Sequence, residues 1–265
     1  MTQAINLSTR MRVETGDNVG IGGFIVTGTE PKRVILRAIG PSLTPLGVPD
    51  ALGDTVLELH GPSSFTTVIN DNWRDTQEAE IIAIQIPPNN DLESAIVATL
   101  DPGGYTAIVK GKNNTSGAAL VEIYDLNMSA DSKLANLSTR AHVGTTDNIV
   151  IAGFLLSDGE TRDRVIVRGI GPSFAPDVFP ANAVLANPRV ELRDGNGALV
   201  VANSDWQDDP VQAAEIIAAN LAPTNPLESA IAVRLSPGLY TALLSGSYQG
   251  TGIGVVEVYD RGAAP

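Results

Sequence analysis

The sequence predicts an all-β protein made of two tandem homologous β-sandwich domains of jelly-roll-like type, each with one short helix. Three observations lead there. The chain repeats itself along its whole length, its apolar runs are short and bounded by glycine and proline, and each repeat holds a single stretch of helical character.

The repeat is direct. Asn6-Leu7-Ser8-Thr9-Arg10 returns as Asn136-Leu137-Ser138-Thr139-Arg140, and Arg37-Ala38-Ile39-Gly40-Pro41-Ser42 as Arg168-Gly169-Ile170-Gly171-Pro172-Ser173. Trp73 matches Trp206, Leu92-Glu93-Ser94-Ala95-Ile96 matches Leu227-Glu228-Ser229-Ala230-Ile231, and Val121-Glu122-Ile123-Tyr124-Asp125 matches Val256-Glu257-Val258-Tyr259-Asp260. The domains are therefore placed at 1–130 and 131–265, with a polar linker at about 127–135. A period this long indicates duplication of a domain rather than a short-repeat solenoid.

Within each half the elements follow in order. Residues 19–26 and 149–156 are apolar runs broken by glycine, as expected of buried strands with close neighbours. Residues 33–39 form a strand stopped by Gly40-Pro41. Residues 55–60 and 189–193 alternate and end at turn signals, Gly61-Pro62 and Asp194-Gly195-Asn196-Gly197. Residues 94–100 are expected to form a hairpin with 105–110 through Pro102-Gly103, and 118–124 closes the half. The helices are expected at 76–84 and 209–219, the second with Asp209 as cap and Pro210 in the first turn.

Composition excludes several function classes. Seventeen basic against thirty acidic residues give a net charge of −13, which repels phosphate backbones, so no nucleic acid is expected as a partner. No apolar run is long enough for a transmembrane helix, so no membrane insertion is expected. Cysteine is absent, which removes thiolate metal sites and cysteine nucleophiles. The two histidines, His60 and His142, align with Arg193 and Arg12, so neither position is shared, and no nucleophile elbow or phosphate-binding loop appears. The chain is read as a non-enzyme. Met1-Thr2-Gln3-Ala4-Ile5 has no leader character, so a signal peptide is expected to have been removed or to lie outside this chain.

Four sets of residues are candidates for function. Asn70, Asp71, Asp75 and Glu93, with Asn203, Asp205, Asp208 and Glu228, place oxygen ligands at spacings that suit a hard cation, so Ca²⁺ is the candidate cofactor; turn and capping chemistry is the competing account. Trp73 and Trp206 are either sugar-stacking platforms, with polysaccharide as partner, or core residues beside a helix start. Arg37 and Arg168 lie in phase with apolar strand residues and need carboxylates; Glu122, Glu257, Glu93 and Glu228 are the candidates, with Glu122 and Glu257 assigned to the pairs. The fourth set is the opening segment Asn6, Leu7, Ser8, Thr9 and Arg10. If its second copy pairs with the preceding domain, the first copy would need another chain, and self-association by strand addition follows.

Taken together, Asn6–Arg10, Arg37–Leu43, Asn70–Trp73, Glu93–Ile96, Pro102-Gly103-Gly104-Tyr105-Thr106-Ala107 and Val121–Asp125 resemble a tandem β-sandwich repeat of large secreted or surface proteins of environmental bacteria. In outline the unit is also similar to the bacterial pre-peptidase C-terminal type of β-sandwich. The resemblance implies an extracellular or cell-surface, non-catalytic module repeated along a stalk, adhesin or filament, with self-association as the expected partner relation. A carbohydrate-binding module with two equivalent sites is the alternative.

Overall fold

The computed structural model describes residues 4–157, 162–174 and 178–263; Met1-Thr2-Gln3, part of the opening segment that lacks leader character, lies outside them. The first half contributes β1 (Ala4–Val13), β2 (Gly20–Gly28), β3 (Lys32–Ile39), β4 (Thr55–His60), β5 (Val68–Asn70), α1 (Glu78–Ile84), β6 (Ser94–Leu100), β7 (Gly103–Gly111) and β8 (Gly117–Asp125). The second contributes β9 (Ser132–Val143), β10 (Val150–Leu156), β11 (Asp163–Ile170), β12 (Pro188–Asp194), β13 (Leu199–Asn203), α2 (Pro210–Ala218), β14 (Ser229–Leu235), β15 (Gly238–Gly246) and β16 (Gly252–Ala263). The class is all-β.

Pairing between these strands is antiparallel and follows two runs of eight. One is β6-β3-β8-β1-β10-β15-β12-β13 and the other is β14-β11-β16-β9-β2-β7-β4-β5, joined by the bridge Arg12–His142. Each run takes four strands from each half of the chain. The crossing points are β1 on β10, with Leu7 opposite Phe154, and β9 on β2, with Leu137 opposite Phe24.

Alternation explains most of the register. In β4, Thr55, Leu57 and Leu59 are buried while Val56, Glu58 and His60 are half-buried, which is the period of two of a strand with one face on the core. Strand β3 differs, with Val34, Ile35 and Leu36 all buried. Val34 and Leu36 enter the main core, whereas Ile35 on the opposite face packs with Trp73, Ile81, Ala95 and Val97 beneath α1. The second half repeats this, with Ile166, Trp206, Ile216 and Ala230 beneath α2.

Two expectations are corrected here. The Pro-Gly segments do not make hairpins: β6 pairs with β3, whereas β7 pairs with β2 and β4, so the chain crosses from one sheet to the other. The physical reason is Tyr105, which stacks on Phe24 of β2 at 5.6 Å and donates its hydroxyl to Asp101 O at 2.9 Å, tying the crossing closed. Tyr240 does the same with Phe154 and Ser236 O. The expected linker is also shorter, because Ser132–Val143 is already strand β9. The main core is continuous across that boundary: Leu7, Leu36 and Leu57 share one cluster with Leu137, Val167 and Leu244.

Candidate functional site

Glu93 and Glu228 occupy the most demanding environment of the sequence-selected residues, both being fully buried. Gly40-Pro41-Ser42 turns the end of β3 into a short 3-10 turn, Pro41–Leu46, whose first N–H groups lack helical partners. Glu93 supplies them: Oε1 accepts from Gly40 N at 3.0 Å and Ser42 N at 2.9 Å, while Oε2 accepts from Ser42 Oγ at 2.9 Å and Asn90 N at 3.2 Å. Glu228 repeats the arrangement with Gly171 N, Ser173 N and Ser173 Oγ. Glycine is required before the proline because a Cβ at Gly40 would stand 2.2 Å from Leu52 O, and one at Gly171 2.0 Å from Leu185 O. The Gly-Pro-Ser and Leu-Glu-Ser motifs are thus two parts of one lock.

The structure brings Arg37 to Glu122 and Arg168 to Glu257, each at 2.5 Å. Arg37 also donates to Ile86 O at 2.8 Å and lies over the Tyr124 ring, whose hydroxyl donates to Glu122 at 2.8 Å. The second copy uses Leu221 O and Tyr259. Burial, followed by the neighbouring glutamate charge, pushes both phenols up to about 12.

The Asn/Asp residues serve as turns and edge covers, the account that competed with a cation site. Asn70 Oδ1 accepts from Ala95 N at 2.9 Å and its amide donates to Asn72 O, so this side chain covers the outer edge of β6. Asn203 does the same for Ala230 on β14. Asp71 pairs with Lys112, and Asp75 accepts from Asn72 at 3.4 Å. Asp208 takes part through its N–H, which donates to Asp205 O at 3.0 Å. Glu93 and Glu228 are consumed by the lock described above. Among the buried oxygens of these turns, Asp71 Oδ1 and Asn72 Oδ1 in one half and Asp205 Oδ1 in the other have no bonding partner. No group of three His, Cys, Asp or Glu side chains converges among the described residues.

Stacking of sugars on the tryptophans is overturned by burial, since Trp73 is 2% and Trp206 7% exposed. Trp73 donates its indole N–H to Asn90 O at 3.2 Å, and Arg74 closes its remaining face at 4.1 Å. The polysaccharide reading loses its platform. His60 rests against Glu58 and Thr67, and His142 sits opposite Arg12 at the sheet junction.

The opening segment has both edges occupied within its own chain, by β8 on one side and β10 on the other. At the centre the hydroxyls of Thr9 and Thr139, both fully buried, meet at 2.8 Å. Arg10 reaches Asp147 O in the other half and Arg140 reaches Asp17 O reciprocally, at 3.3 and 3.2 Å. The repeated Asn-Leu-Ser-Thr-Arg motif is therefore the seam of a pseudo-two-fold joint.

One site escaped the sequence reading. Lys32 in β3 is fully buried and donates to Asp125 at 2.9 Å and Asn127 O at 2.7 Å. Its counterpart in β11 is Asp163, also fully buried, with neither carboxylate oxygen bonded. Asp260 opposite accepts from Ala4 N and Gly262 N, with Lys133 at 3.5 Å. Burial, then the Asp260 charge, pushes Asp163 up to about 6. The signal was present: a lysine aligned against an aspartate directly before the closely repeated strand residues 33–39 and 164–170.

No protein-family model matches this chain, and no curated protein matches it. Among solved structures it is similar to a DUF4785 family protein from Legionella pneumophila subsp. pneumophila str. Philadelphia 1, at 9% identity, covering 98% of this chain and 82% of that chain. The TM-score of that comparison is 0.23, a likeness that carries no argument about function.

Proposed function

We propose that the chain is a non-catalytic structural or adhesive repeat protein of the extracellular surface, self-associating as a unit of a filament or tandem array. The observation that carries this reading is the use made of the polar residues common to both halves. Glu93 and Glu228, the Arg37–Glu122 and Arg168–Glu257 pairs, and Asn70 and Asn203 each satisfy partners inside the fold, in the same manner twice. Acid–base or nucleophilic catalysis needs a proton or lone pair turned toward a substrate, and these groups are committed to neighbours. The extracellular setting rests on the resemblance of the repeated motifs.

Strand addition through Asn6–Arg10 requires β1 to leave β10 of its own chain and take the β10 edge of another, with residues 127–131 as hinge. Thr9→Cys with Thr139→Cys tests this in a chain that has no other thiol. If strand addition carries the assembly, electron microscopy and light scattering find assemblies of the reduced protein and none of the oxidised, locked one. Equal assembly in both states removes the strand-addition route. A monomer at every concentration removes the self-associating reading itself.

A further inference from the structure

The ends of the two sheets are finished in two different ways. The outer edge strands β6 and β14 have their free backbone groups covered by side chains: Asn70 and Gln77 accept from Ala95 N and Val97 N, both at 2.9 Å, and Asn203 and Gln212 accept from Ala230 N and Ala232 N. The other two outer edges, β5 and β13, each pair with one strand only, and no such cover lies over Val68, Ile69, Leu199 or Val200 among the described residues. These four side chains are exposed, Ile69 at 58% and Leu199 at 53%.

Charge follows the same division. Residues 61–70 and 195–204 contain no charged side chain, although the chain as a whole carries −13. Soluble proteins ordinarily guard an open apolar edge with lysine, proline or a covering segment, as this one guards β6 and β14. At β5 and β13 the guard is missing in both halves, and neither strand brings a charged side chain of its own to the contact.

We propose that the β13 and β5 edges are contact surfaces for a second copy of this chain, joined edge to edge as β1 is joined to β10 inside the molecule. The inference rests on the self-associating reading above and names its contact surface. Because β5 and β13 stand at opposite ends of the molecule, each copy is bivalent. Pairing of open edges then extends a linear array while the internal joint stays closed.

The test uses the full chain with Val200→Lys, Ile69→Lys and the double variant, in sedimentation velocity over a dilution series and in electron microscopy. Thermal melts by circular dichroism check that these exposed substitutions leave the fold intact. The wild-type protein is expected to form concentration-dependent linear oligomers. Each single variant should stop at dimers if like edges pair and at monomers if β5 pairs with β13, and the double variant should be monomeric in either case. The oxidised Thr9→Cys/Thr139→Cys protein should assemble as the wild type does. Oligomers that survive the double variant, or that disappear only in the locked protein, overturn the edge proposal while leaving self-association standing. A monomeric wild type overturns both.

Discussion

Asp163 should make this protein more stable in mild acid than at neutral pH. In the unfolded chain its carboxyl titrates near 3.8, whereas burial and the Asp260 charge hold it near about 6 in the fold. Between those values the native state binds the extra proton, so its contribution is fully present below the unfolded value and is lost as pH rises through about 6. A tenfold change in proton affinity corresponds to about 1.4 kcal/mol, so the ceiling is about 3 kcal/mol. The ammonium of Lys133, 3.5 Å from Asp260, is already contained in that value, and local relaxation around the carboxylate reduces the effect further. A destabilisation of about 1–2 kcal/mol at neutral pH is the expected remainder. Asp163→Asn removes the charge and keeps the shape, and should raise the melting temperature by roughly 3–6 °C at about pH 7.5 while changing it little at about pH 5. Calorimetric melts of both proteins across this window decide the matter. If the variant keeps the wild-type pH profile, or is less stable than the wild type at neutral pH, the buried-carboxylate argument is refuted.

Three further outcomes follow from the same geometry. Glu93→Gln replaces an acceptor of four hydrogen bonds by a group that can accept at one oxygen only, and should lower stability by about 3 kcal/mol in denaturant titration, with Glu228→Gln behaving alike. Thr9→Val and Thr139→Val should each cost about 1–2 kcal/mol by leaving a buried hydroxyl unpaired, whereas the double variant should cost less than either sum predicts; a double-mutant cycle with no coupling would contradict the 2.8 Å contact. Calcium should leave the melting temperature unchanged, because Glu93 and Glu228 are already taken by backbone and serine donors. A saturable heat on titration with calcium chloride would show otherwise.

Much of the strand pattern was legible because it is local. Alternation in β4, the glycine-proline stop after β3 and the Asp209–Pro210 helix start all depend on near neighbours in the chain, and each element lies within a few residues of its expected place. The Arg–Glu pairs were legible for a similar reason, since an arginine in phase with buried aliphatic residues demands a carboxylate from an adjacent strand. The role of Glu93 was not legible. Its partners at Gly40 and Ser42 lie about fifty residues away, and a buried carboxylate and a metal ligand look the same in a string of letters.

The class, the duplication and the positions where polar residues must be buried all follow from the order of the amino acids, because strand periodicity and repetition are properties of the chain alone. How the two copies use one another does not. Pro102-Gly103 marks a reversal in either case, but whether it makes a hairpin or a crossing depends on Tyr105 finding Phe24 on a third strand. Asn-Leu-Ser-Thr-Arg marks a repeated strand in either case, but its place at the joint comes from edges that close only when both halves are present. Edge pairing and core continuity arise between segments far apart in the chain, so they belong to the packed molecule.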